Sequence, residues 1–185
     1  MALATVIVTA DQVKAHLNIL TTASDTELAY FVGVASDLVE HSANRVWRDT
    51  DYDSEAHKGG TDSVVLLHSP VATVDALLDD GSEVAEDDYT IDLDTGLIRL
   101  TSGRFTRGEG KVVVSYTAGV DAGAVPDLAQ HAVLETVPHL WATQRGTVVR
   151  NQIAGDDKSG QGSTYMLPLR VVELVDRLSL SAGIG

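Results

Sequence analysis

The apolar residues of this chain change their spacing twice, and few folds accommodate that. From Ser24 they recur at intervals of three and four, so that Leu28, Phe31, Val32, Ala35, Leu38 and Val39 share one stripe of a helix. From Val64 they alternate, as strand residues do, and from Pro126 they return to helical spacing. Strands gathered in one block between helices predict an α+β fold: N-terminal and C-terminal helices forming a small bundle, with an antiparallel β-sheet unit inserted between them.

Local signals place the boundaries. Thr9 with Gln12, and Ser24 with Glu27, have the spacing of capping boxes, in which side chains satisfy backbone N–H groups of a helix's first turn. They predict helices within about 9–46, the second running to about Asn44. Residues 49–62 are polar, contain glycine and lack a period, and so read as a loop. Val64–Leu67, Val71–Leu78, Tyr89–Leu93, Leu97–Leu100 and Lys111–Tyr116 read as β-forming runs of a small antiparallel unit of four or five strands over about 64–118. Turns at Asp79-Asp80-Gly81-Ser82 and Asp94-Thr95-Gly96 separate them. Pro126 suits a first helical turn, and Leu128, Ala129, Ala132, Val133, Val137, Leu140 and Trp141 form the next buried stripe, ending near Gly146. Residues 151–163 are polar with three glycines and read as a flexible loop. A last helix over about 168–180 carries Val171, Leu174, Val175 and Leu178 on one face. The whole, 1–185, is expected to be a single domain.

Charge is distributed unevenly. The formal net charge is −14, and residues 49–94 hold 14 acids against one base, Lys58, a net −13. Residues 1–48 carry −2 and residues 95–185 carry +1. Such acidity argues against gripping DNA phosphates, which takes clustered Lys and Arg. With no cysteine, disulfide frameworks, thiolate zinc sites and cysteine nucleophiles are excluded. The N-terminus lacks a basic signal region and no apolar run nears ~18 residues, so a soluble, non-secreted protein without membrane contact is expected.

Motifs of catalysis are incomplete. Asp94-Thr95-Gly96 is the tripeptide of aspartic proteases, but a second copy is missing and a hairpin turn explains the residues equally well. Asp49, Asp51, Asp53 and Glu55 alternate as calcium ligands do, yet Ser54 and Gly60 stand where an EF-hand needs Gly and Glu. His131, Glu135 and His139 share one helix face at zinc-ligand spacing, on the side away from the apolar stripe, with Pro138 between them. Gly155, Gly160 and Gly162 lack the Lys and Ser/Thr of a phosphate loop. The residues therefore predict no enzyme and no cofactor.

The order of these ordinary segments resembles the head–tail connector (adaptor) proteins of tailed bacteriophages. The resemblance runs over about 6–178. It rests on the Val8–Ile19 helix, then Asp25-Thr26-Glu27-Leu28 and a long helix, Ser69-Pro70-Val71 with Val74, and Asp87–Asp92 leading into Thr95-Gly96. It continues through Val112–Gly119, Val125-Pro126-Asp127-Leu128 with a helix ending at Trp141 and Arg145, and Tyr165-Met166-Leu167-Pro168 before a short helix. The loops at 49–62 and 151–163 exceed the common pattern, so no contact there is carried over.

The resemblance implies a structural protein of the virion neck, present in the host cytoplasm during assembly. Such proteins form a ring, commonly twelve-fold, under the portal protein. The ring extends the DNA channel, which genomic DNA traverses without sequence-specific binding, and offers a platform to a stopper or tail-completion protein. The family's C-terminal region contacts the portal, which here would be Tyr165, Met166, Leu167, Pro168, Val171, Leu174, Val175 and Leu178. A ring also needs two different complementary faces. Asp79, Asp80, Glu83, Glu86, Asp87 and Asp88 are candidates to meet Arg99, Arg104, Arg107 or Lys111 of the next copy, or to line the channel. The competing readings are a hydrolase built on His131/Glu135/His139 or Asp94, and an acidic interaction module that forms no ring.

Overall fold

Seven strands and four helices make up the described residues, 3–144 and 167–179, of a computed structural model. The expected helix end at Gly146, the 151–163 loop, Tyr165 and Met166 lie outside them, whereas the last helix, expected over about 168–180, ends within them at Asp176. The chain divides into two compact units, one of residues 1–5 and 44–125, the other of 6–43 and 126–185.

The second unit is helical. Helix α1 (Ala10–Leu17) opens on the expected capping box: Gln12 N–H donates to Thr9 Oγ1 at 3.2 Å, and Thr9 N–H donates to Gln12 Oε1 at 2.7 Å. Helix α2 (Asp25–Ala43) buries Leu28, Phe31, Val32, Ala35 and Val39, the stripe read from spacing, and Asn44 leaves it at a φ of 51°. Helix α3 (Asp127–Gln144) buries Ala129, Ala132, Val133 and Val137. Helix α4 (Leu169–Asp176) packs on α2 and α3 through Val171 and Val175. Two hydroxyls lie in this apolar interior, and each is satisfied one turn back: Ser36 donates to the Val32 carbonyl and Thr136 to the Ala132 carbonyl, both at 2.7 Å.

The β unit holds two antiparallel sheets. Strands β1 (Thr50–Gly59), β3 (Val71–Asp79), β4 (Ser82–Glu83) and β7 (Gly108–Ala118) make one, in the order β1-β7-β3-β4. Strands β2 (Ser63–Val65), β5 (Tyr89–Asp92) and β6 (Leu97–Leu100) make the other, in the order β2-β6-β5. Val64, Leu66, Leu77, Ile98, Phe105, Val112 and Val114 share one buried cluster. The expected turn at Asp80-Gly81 joins β3 to β4 with positive φ at both residues, 50° and 81°, the pattern of a type I′ hairpin. Residues near the N-terminus belong here too: Ala4 N–H donates to the Val120 carbonyl at 2.8 Å, and Asp49 N–H donates to the Ala4 carbonyl at 2.7 Å.

One expectation is overturned. Residues 49–62 are chiefly strand, not loop, so the β unit begins near 50 rather than 64 and has seven strands rather than four or five. Strand β1 does alternate, but its inward positions are Tyr52, Glu55 and His57, which no apolar count detects. A bulge adds to the concealment. The pairing with β7 shifts register between Tyr52 and Glu55, and Ser54 takes a φ of 57°, breaking the period of two.

Candidate functional site: the charged faces of the β unit

Polar side chains can be half-buried in β1 because a network receives them. Glu55 Oε1 accepts from Leu67 N–H at 2.9 Å, and its Oε2 accepts from the Tyr116 hydroxyl at 2.7 Å. That hydroxyl in turn accepts from His68 N–H at 3.2 Å. His57 Nε2 stands 2.7 Å from Glu55 Oε1, near in distance but outside hydrogen-bond geometry. Tyr52 stacks between His68, 4.0 Å away, and Tyr116, 5.3 Å away. Burial, and then the Glu55 carboxylate, push the Tyr116 phenol far above its usual range, so it stays a donor. The network ties β1, β7 and the segment after β2 together; it is structural support and not an exposed site.

Several of the 14 acids of residues 49–94 are engaged within the chain. Lys111 Nζ meets Asp80 Oδ1 at 2.5 Å, so these two candidate charges pair with each other. Asp79 accepts from the Thr106 N–H at 2.9 Å and from its hydroxyl at 3.1 Å. Asp94 meets Arg45 at 2.5 Å, and Thr117 donates to Asp51 at 2.8 Å. Glu83, Glu86, Asp87 and Asp88 stay exposed. Arg99, Arg104 and Arg107 are exposed as well, and among the described residues none has a carboxylate within 4.0 Å. Free charge of both signs therefore remains on one unit.

The catalytic readings dissolve in the geometry. Asp94-Thr95-Gly96 is the turn between β5 and β6, where the Asp92 carboxylate accepts from Asp94 N–H at 3.1 Å and from the Thr95 hydroxyl at 2.8 Å. His131 Nε2 lies 4.0 Å from Glu135, whose other oxygen is 3.5 Å from Arg170, a cation that competes with any metal. Among the described residues, no three His, Asp or Glu side chains are grouped to hold a metal ion. None of the described helices is long and apolar enough to cross a membrane.

The C-terminal candidates differ in burial. Val171 and Val175 are buried, while Leu167, Pro168, Leu174 and Leu178 are half-buried. The apolar residues that α4 exposes are Leu169, at 83%, and Val172, at 39%. Sequence reasoning passed over both because it followed the buried stripe; the opposite face of the same helix was the signal.

Among the described residues, then, the chain exposes charges of both signs and several apolar side chains, and the candidate catalytic residues are not assembled into a site. Its sequence matches the head completion protein family over residues 6–175, and the chain belongs to that family, whose members are structural proteins of the virion and not enzymes. Its fold resembles a component of the neck of an empty gene transfer agent particle at a TM-score of 0.66 and 20% identity, covering 100% of this chain and 95% of that one. Chains from the native particle's virion (TM-score 0.63, 19% identity) and from its neck (0.59, 20%) match over 100% of this chain and 95% and 98% of theirs. No curated protein sequence gives a significant match. The fold class and the family expected from segment order thus stand.

Proposed function

We propose that this head completion protein is a ring subunit of the virion neck. It docks beneath the portal, continues the DNA channel and carries the stopper or tail-completion protein. The observation that carries the reading is likeness along the full chain to a gene transfer agent neck component, in reconstructions with C6 and C12 symmetry. A ring of six or twelve copies is the corresponding expectation here, with assembly beginning in the host cytoplasm.

The surface chemistry fits. Head-to-tail closure needs two unlike faces, and the free acids and free arginines of the β unit supply opposite charges for them. Acids that remain on the channel side repel phosphate and let DNA slide. On α4, Leu169 and Val172 are the residues best placed to reach the portal, because their partners Val171 and Val175 already hold the helix in its own unit. Cosedimentation of the full chain with portal rings tests this reading. Stoichiometric binding supports it, and a protein that never associates with portal contradicts it.

A further inference from the structure

Two exposed surfaces of the β unit are chemically complementary. The first is a groove of about 350 Å³ lined by Ala72 and Val74 of β3, Tyr89 and Ile91 of β5 and Leu93, with Glu86 also on its wall. Both flanking strands are sheet edges there: β5 ends its sheet, and β4 covers β3 only at Leu78 and Asp79. Val71 N–H donates to the Leu93 carbonyl at 2.7 Å and closes one end. The second surface is the outer face of the three-stranded sheet. Register sets Val65 beside Leu97 and Arg99 between Ser63 and Thr90, all on the side away from buried Val64 and Ile98. Val65 is 57% exposed and Leu67, two residues on, is 68% exposed.

Strand β5 separates the two surfaces. Ile91, paired with buried Ile98, lines the groove with Tyr89, while Thr90 and Asp92 look to the outer face. Both surfaces are largely apolar; the groove carries the acid Glu86, and the sheet face carries Arg99 together with Asp92, whose carboxylate already accepts from the Asp94 N–H and the Thr95 hydroxyl. Pairing either with itself across a two-fold axis would oppose Glu86 to Glu86 or Arg99 to Arg99, which like-charge repulsion disfavours. Pairing one with the other buries apolar area and sets Arg99 against Glu86, and repeats head to tail.

Resting on the ring reading above, we infer that the occupant of the groove is a second copy of this chain. The Val65/Leu67/Leu97 face of one subunit seats between β3 and β5 of the next, with Arg99 meeting Glu86.

The chain has no cysteine, which makes the test clean. In the full chain, Val65→Cys combined with Leu93→Cys places one thiol on each surface. Mild oxidation of rings, formed alone or seeded by portal, should give a ladder of covalent dimers, trimers and higher species, whereas each single variant stops at dimers. Arg99→Glu and Glu86→Arg should each raise the concentration needed for ring closure about tenfold or more, and the double variant should recover most of that loss. Both sites are exposed, so unchanged circular dichroism verifies folding. Rings that form normally in both charge variants and give no ladder overturn this pairing and leave the groove to another neck protein. Wild-type protein that forms no ring, with or without portal, overturns the ring reading beneath it.

Discussion

The Tyr116 hydroxyl donates to Glu55 Oε2 at 2.7 Å from a ring that solvent does not reach. This bond crosses between β7 and β1, and it explains how a strand as polar as β1 can belong to a sheet. Tyr116→Phe leaves the His68 N–H without its acceptor and should cost about 1–2 kcal/mol, while Glu55→Ala strands both the Leu67 N–H and the Tyr116 hydroxyl and should cost about 3 kcal/mol. Urea unfolding followed by tryptophan fluorescence measures both.

Alkaline pH probes the same bond. The Tyr116 phenol is raised in the folded protein, so its contribution is full below the unfolded tyrosine value of about 10 and is lost as pH climbs beyond it. Stability of the wild type should fall above about pH 10 more steeply than that of Tyr116→Phe. Parallel slopes for the two proteins would refute the assignment.

Acid acts on a different turn. The Thr95 hydroxyl first, and then the Asp94 N–H, hold the Asp92 carboxyl below its usual range. The sign is opposite to that of Tyr116: support for the β5–β6 turn is complete above the ordinary carboxylate range and fades as pH drops through the lowered folded value. Asp92→Asn should remove that dependence, visible by following the Thr95 and Gly96 amides by NMR between neutral pH and pH 3.

Two glycines separate backbone strain from crowding. Gly81, at a φ of 81°, has open space where a Cβ would go, so Gly81→Ala should cost only the left-handed conformation, about 1 kcal/mol. At Gly119, with a φ of 134°, a Cβ would stand 2.9 Å from the Arg48 carbonyl oxygen, which is backbone and cannot swing aside. Gly119→Ala should therefore lower the melting temperature several times further than Gly81→Ala.

What the sequence disclosed follows from which residues carry the pattern. Helix α2 was legible because its buried positions are apolar and regularly spaced, strand β3 because it is rich in apolar residues although two register shifts leave only Val71 and Leu77 fully buried, and the Asp80-Gly81 hairpin because positive φ favours those residue types. Strand β1 was illegible because Tyr52, Glu55 and His57 fill its inward positions and a bulge at Asp53-Ser54 resets the period. The charged surface was half legible. Counting located the acids, but only the fold shows that Asp80 is held by Lys111 and Asp94 by Arg45, leaving Glu83, Glu86, Asp87 and Asp88 exposed.

Helix α4 separates stability from recognition. Val175→Asp puts an unpaired charge into the helical core and should unfold that unit or weaken it by roughly 3 kcal/mol or more. Leu169→Asp and Val172→Asp alter only exposed positions and should stay within about 0.5 kcal/mol of wild type while reducing capture by portal rings at least tenfold. Portal binding by Leu169→Asp and Val172→Asp equal to that of the wild type would move the portal contact elsewhere.

Electron cryomicroscopy of portal rings incubated with the full chain tests the ring directly. Closed density beneath the portal, made of repeating copies of this fold in six- or twelve-fold arrangement, is the predicted result. Portal rings that stay bare, with this protein monomeric beside them at saturating concentration, would contradict it.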